Sequence, residues 1–255
     1  DTLPLSFAQQ RLWFLAELEP DNPFYNTPLA LRLTGQLDKA ALKQTIDQLV
    51  ARHEVLRTAF RNAHGEPVQV ILDHLDVPLQ EIDLTGTPAE ERETAMLAEA
   101  ERAARAPFTD LGAPPLLRAE LVIMGPEEHV LLLTVHHIII DGWSLNVLTR
   151  ELARAYKAHL QGVPETLPPL PVQYADFAAW QRDWLTGDVL EKQLSYWRGQ
   201  LADAPPMLSL PTDRPRPAVQ SFQGASLRFT IDAETRDRLK ELSRTHNATL
   251  FMTLL

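Results

Sequence analysis

Two adjacent histidines, His136 and His137, end the apolar run Leu131–Val135 and precede Ile138-Ile139-Ile140-Asp141-Gly142. Imidazole changes charge near physiological pH, so it is the side chain best suited to accepting a proton from a reacting group. At a strand period of two, Leu131, Leu133, Val135 and His137 share one face, while Leu132, Thr134 and His136 share the other. The two rings therefore cannot do the same job. Opposite faces also make them poor joint ligands for a metal, even with Asp141 nearby. The Asp141-Gly142 pair turns the chain sharply, and a helix is expected from near Ser144. A strand-end histidine, a glycine turn and a helix N-terminus together suit a general base beside a site of developing negative charge. By spacing alone, a hydrogen-bonded core histidine is an equal reading.

Several elements must position these residues. Ser6 with Gln9 has the form of a capping box, and Leu12, Leu15 and Leu18 follow at helical spacing. Leu29 to Leu33 alternates as a strand does. Asp38 is placed to cap a helix whose Ala41, Leu42, Ile46, Leu49 and Val50 form one stripe. Strands are expected at 54–60, 67–72 and 77–83. Thr87-Pro88-Ala89-Glu90 reads as cap, proline and early glutamate, opening a helix toward Arg105. The runs Leu116–Ile123 and Val130–Val135 read as a hairpin through Gly125-Pro126. A helix over about 144–160 would end at Gly162. Aromatic helices near 174–201, a strand at 226–231 and a helix from Asp232 complete the pattern. It predicts an α+β fold, helices layered on a mixed sheet.

Proline marks 164–171 and 205–217 as extended connectors. They divide the chain into an N-terminal lobe, 1–162, a connector, 163–220, and the start of a second lobe, 221–255. The apolar stretch Ala248–Leu255 carries no stop signal, so the sequence reads as a fragment of a larger polypeptide.

Composition removes several alternatives. The 255 residues are 45% hydrophobic and carry a formal net charge of −10, from 34 acidic and 24 basic side chains. Such a surface repels nucleic acid and anionic lipid. The absence of cysteine excludes disulfides, thiolate metal sites and cysteine nucleophiles. No apolar run approaches the ~20 residues of a membrane span, and the N-terminus lacks a signal-peptide pattern, so a cytoplasmic protein is expected.

The segment His136–Gly142 resembles the HHxxxDG signature of condensation domains of non-ribosomal peptide synthetases, within the chloramphenicol-acetyltransferase-like superfamily. Three more segments resemble the family's motifs in the right order: Ser6–Leu15, Arg52–Phe60 and Tyr174–Gln181. Four ordered motifs over about 180 residues make coincidence untenable. The openings Leu18-Glu19-Pro20 and Tyr25-Asn26-Thr27-Pro28 look like the subtype joining an L-configured donor to an L-configured acceptor. Ile140 stands where many relatives carry a small or polar residue.

The resemblance implies a chloramphenicol-acetyltransferase-like sandwich and amide bond formation between two thioesters held on phosphopantetheine arms of donor and acceptor carrier domains. It implies no directly bound cofactor, and further synthetase domains in the same polypeptide as partners. His137 would be the reacting-centre residue, with the Gly142 N–H as an oxyanion donor and His136 supporting the loop from the reverse face. Asp141 would be structural, paired with Arg57, or failing that with Arg52, which could equally be an ordinary helix-end cation. Trp143 and Ser144 would border the channel or cap the helix. Trp13, Phe14, Tyr174 and Trp180 would be packing groups. Residues 1–255 alone would not turn over. A non-catalytic docking platform of the same fold and a coenzyme A-dependent acyltransferase are the competing functions.

Overall fold

The computed structural model describes residues 2–163, 167–218, 224–225, 227 and 229–255. They fall into two compact units, Asp1–Pro206 and Met207–Leu255. In the first unit lie strands β1 (Thr2–Pro4), β2 (Asn26–Thr34), β3 (Thr58–Ala63), β4 (Glu66–Ile71), β5 (Leu79–Asp83), β6 (Leu117–Gly125) and β7 (Glu128–His136). Its helices are α1 (Phe7–Leu18), α2 (Lys39–Arg52), α3 (Ala89–Arg105), α4 (Gly142–Gln161), α5 (Tyr174–Trp184) and α6 (Gly187–Gln200). The second unit contains α7 (Ala233–Thr245), capped by Asp232, and α8 (Leu250–Leu254). Among the described residues no helix is long and apolar enough to cross a membrane.

One sheet has the order β2-β7-β6-β5, with β5 parallel to β6 and the other pairs antiparallel; a second is β1-β4-β3. Strand β7 is central and covered on both faces. Leu131, Leu133 and Val135 join Leu42, Ile46 and Leu49 of α2 and Leu148 and Leu152 of α4 in the main core. Val130 and Leu132 pack with Met96, Ala100 and Ala103 of α3. A strand buried on both sides need not alternate apolar with polar, which is why 130–135 is almost uniformly aliphatic. Each such leucine contributes about 1.5–3 kcal/mol by leaving water.

The helix signals act as their chemistry dictates. Ser6 Oγ accepts from the Gln9 N–H at 3.2 Å while Gln9 Oε1 accepts from the Ser6 N–H at 3.0 Å, closing the expected capping box. Asp38 caps α2 through the Ala41 N–H. Helix α4 ends at Gly162, whose φ of 62° lies in the left-handed region where a side chain would be strained.

Four sequence expectations need correction. Residues 54–57 form a 3-10 turn, Glu54–Arg57, rather than the start of a strand, because the Leu56 N–H and the Thr58 hydroxyl both bond backward, to the His53 and Glu54 carbonyls. Helix α3 begins after Pro88, and Thr87 supplies no side-chain cap. Helix α4 starts at Gly142, two residues before Ser144, with Asp141 as its cap. The expected strand at 226–231 falls partly outside the described residues, and 227 and 229–231 are not in a strand. Of the connectors, 164–166 also lie outside them, while 205–217 is exposed and without helix or strand.

Candidate active site

Strand β7 stops at His136, and the chain turns through 137–139 before reaching α4. His136 is 4% exposed. Its backbone N–H donates to the Leu116 carbonyl and its Nδ1 accepts from the Ile138 N–H at 3.1 Å, so one ring nitrogen is consumed in holding the turn. The ring packs against Tyr25 and, edge-on, Phe108. Burial, reinforced by the neighbouring His137, lowers its pKa to about 4. His136 is therefore a neutral structural imidazole at physiological pH.

His137 is the opposite. Its backbone N–H is tied to the Tyr25 carbonyl at 2.8 Å, yet its side chain is exposed. It lines a cavity of about 540 Å³ together with Ile138, Ile139, Ile140, Asp141 and Ser144. The three isoleucines are themselves buried, anchoring the turn so that one imidazole stands free beside an apolar wall. The two histidines thus separate as strand parity required, with the turn completing the separation.

Asp141 caps α4 by accepting from Ser144 twice, from the backbone N–H at 2.8 Å and from the hydroxyl at 2.6 Å. These bonds, the hydroxyl's first, hold its carboxyl below the ordinary aspartate value. Gly142 is the first residue of α4, where an N–H has no partner within the helix. Open space surrounds the position its Cβ would take. Asp141 takes the N–H groups of Trp143 and Ser144, so the Gly142 N–H, next to an exposed imidazole, is the donor of this first turn that could face an oxyanion while a proton moves.

Comparison with known proteins gives this geometry its context: the condensation-domain profile matches residues 1–255. The chain belongs to the condensation-domain family. It is similar to a linear gramicidin synthase of Brevibacillus parabrevis, with 52% identity over 253 residues, 99% of this chain and 3% of that protein. Phosphinothricin tripeptide synthetase PhsC of Streptomyces viridochromogenes is 45% identical over 253 residues, 99% of this chain and 23% of its own length. The first condensation domain of the calcium-dependent antibiotic synthetase, solved in complex with a substrate analogue, superposes with a TM-score of 0.78 at 25% identity, covering 98% of this chain and 57% of that one. The X-domain solved in complex with OxyB from teicoplanin biosynthesis gives 0.82 at 35% identity, covering 98% and 54%. This condensation-domain chain thus spans a small part of those synthetases and about half of the solved chains.

The arginine expected to hold Asp141 does not do so. Arg57 closes the 3-10 turn, donates to the Leu72 carbonyl and lies 3.5 Å from Glu54. The prediction assumed a buried mid-strand charge; the turn at 54–57 instead offers Arg57 a carbonyl and a carboxylate of its own. Arg52 is the helix-end cation of the alternative reading, bonded to Glu151 and to the Pro168 carbonyl at 2.8 Å. Trp143 is 81% exposed and outside the cavity lining, whereas Ser144 both lines the cavity and bonds the cap. Of the expected packing groups, Trp13 is half-buried against the core, but Phe14 and Trp180 are exposed. Tyr174 lines the cavity and pairs its hydroxyl with Ser6 Oγ at 3.0 Å.

Sequence reasoning missed the buried ion-pair junction behind His53, one of the cavity's lining residues. Glu151, buried in the middle of α4, receives His53 Nε2 at 2.7 Å and Arg52 Nε at 3.1 Å on the same oxygen. Burial alone would push its carboxyl up; the bonds from His53 and Arg52 outweigh this and hold it below the ordinary value. His53 lines the cavity with Gln173, whose side chain bridges the Arg52 carbonyl and the Glu54 N–H. The available signal was spacing: Leu148, Glu151, Leu152 and Ala155 occupy one helical face, so a glutamate sits on the buried stripe.

Proposed function

We propose that this condensation domain forms an amide bond between a donor acyl or peptidyl thioester and an acceptor aminoacyl thioester, each delivered on the phosphopantetheine arm of a carrier domain. The observation that carries the reading is the division of labour at the strand end. One imidazole is buried and committed to the turn; the other stands exposed on an apolar cavity beside the Asp141-capped N-terminus of α4. In this mechanism the acceptor nitrogen attacks the thioester carbon, and the carbon–nitrogen bond forms as negative charge develops on oxygen. The Gly142 N–H, outside the cavity lining but between the lining residues Asp141 and Ser144, is the donor assigned to that charge. His137 accepts the ammonium proton, or orients the amine, as the tetrahedral adduct forms. The adduct then collapses, the carbon–sulfur bond breaks, and the departing thiolate takes up the proton. His136, Asp141, Arg52 and Arg57 act by holding the turn, the helix cap and the adjoining wall.

The partners in this reading are donor and acceptor carrier domains and adjoining synthetase domains of one cytoplasmic polypeptide, and no cofactor is bound directly. The opening motifs favour L-configured donor and acceptor residues. Because the solved relatives are nearly twice as long, residues 1–255 by themselves are proposed not to turn over. The X-domain solved in complex with OxyB is the observation behind a second reading, a docking platform. The exposed His137 on its cavity favours chemistry instead.

The test supplies the full-length protein with one carrier loaded as acyl thioester and a second loaded as aminoacyl thioester. Amide product on the acceptor carrier supports the proposal. Binding of both carriers without product supports the docking reading, and product only from acyl-coenzyme A supports the acyltransferase alternative.

A further inference from the structure

The His136 ring meets Tyr25 at 6.3 Å between centroids and Phe108, edge-on, at 5.9 Å. Phe108 in turn carries Arg118 on its face, with Cζ 4.0 Å from the ring centroid. Arg118 stands on β6 opposite Thr134 of β7 and donates to the Ala106 carbonyl. Asn26 of β2, opposite His136, donates to the same carbonyl at 2.8 Å and to that of Ala104 at 2.7 Å. The chain leaving α3 is thereby tied to both strands that flank β7, and Phe108 is held against the His136 ring.

Burial disfavours a cation here. Arg118 is half-buried, its Nε has no hydrogen-bond partner among the described residues, and burial lowers its pKa below the ordinary arginine value. Glu120, whose charge favours the cation, is bonded to Arg102. What the guanidinium gains is the face of Phe108, where its charge is attracted and its planar group stacks.

We infer that Arg118 is a positioning residue for His137, acting through Phe108 and His136. Arg118 fixes Phe108, and Phe108 fixes the His136 ring. His136 Nδ1 holds the Ile138 N–H at 3.1 Å, and His137 lies between those two residues. The inference rests on the proposed part of His137 in amide formation.

Arg118→Met removes the cation and its bond to Ala106, and Phe108→Leu removes the ring. In the full-length protein both are expected to lower kcat for amide formation about tenfold, with KM little changed. Both should also speed hydrogen exchange of the Ile138 N–H, followed by NMR, about tenfold. Arg92→Met is the control. Arg92 also holds backbone carbonyls, those of Met124, Thr85 and Thr87, but at the other ends of α3 and β6. Its variant should lose thermal stability while keeping wild-type kcat and wild-type Ile138 exchange.

Equal losses in Arg92→Met would mark general destabilisation and overturn the inference. So would a change in only one of the two readouts, or in neither, in folded Arg118→Met and Phe108→Leu. Where either fails to fold, Arg118→Lys keeps a charge without the planar group; smaller losses in both readouts support the inference, and wild-type values overturn it. A wild type that forms no amide overturns the functional reading instead. Ile138 exchange in Arg118→Met then decides alone, faster exchange supporting the hold on the turn and unchanged exchange overturning it.

Discussion

Glu151 Oε2 lies 2.7 Å from His53 Nε2, joining the middle of α4 to the residue that follows α2. Arg52 meets the same oxygen and donates to the Pro168 carbonyl, while Gln173, just before α5, donates to the Arg52 backbone carbonyl. Glu151 and His53 are 98 residues apart in sequence, and His53 lines the cavity that His137 also lines.

Removing the carboxylate leaves His53 Nε2 without its partner and Arg52 with only the Pro168 carbonyl. Glu151→Leu is expected to destabilise the protein by about 3 kcal/mol, the low end for breaking a buried pair. Denaturant unfolding at neutral pH measures it, and a loss no larger than that of a surface substitution would contradict the assignment.

The same group makes a signed pH prediction. The folded-state pKa of Glu151 lies below its ordinary 4.5, so its stabilisation is complete above 4.5 and fades as pH falls through the folded value. Unfolding of the wild type and Glu151→Gln compared from pH 6 downward should show a gap that narrows below 4.5. A gap that widens on acidification has the wrong sign for this account.

His136 titrates in the other window. Its ordinary value of 6.5 falls to about 4 on folding, because the charged ring is disfavoured by burial. The unfolded chain therefore takes up the proton first, and stability drops by about 1.4 kcal/mol per pH unit between those values. His136→Asn, which keeps an acceptor for the Ile138 N–H, should flatten that slope. An NMR midpoint for His136 above 6 would refute the assignment.

Asp141 is a helix cap, and its energetics should follow that role. Asp141→Ala should cost about 1 kcal/mol. Combining it with Arg57→Ala should be additive within about 0.5 kcal/mol, since the two side chains share no bond. A larger coupling energy would restore the ion pair that the structure replaces with Ser144.

Much of this was legible in the sequence because the signals are local. Ser6 with Gln9, Asp38 and Gly162 each act within a few residues, and the aliphatic stripe of α2 shows the helical period directly. The separation of His136 from His137 was expected from strand parity, although His137 lies in the turn just past the end of β7. The failures involve partners far away in sequence or turns with weak composition. Nothing near Arg57 signals that 54–57 coils into a 3-10 turn, and an aspartate before a helix suits a cap as well as an ion pair. Glutamate is usually exposed, so the residue type at Glu151 gives no sign of burial; only its place between Leu148 and Leu152 does.

The central claim is that His137 serves the reacting amine, and its direct test is His137→Ala in the full-length protein, assayed for amide formation between two loaded carriers. The side chain is exposed and its turn is held by backbone bonds, so the variant should keep its thermal midpoint. Amide formation should fall by about 10²–10⁴-fold, whereas a folded variant that condenses at the wild-type rate would contradict the account.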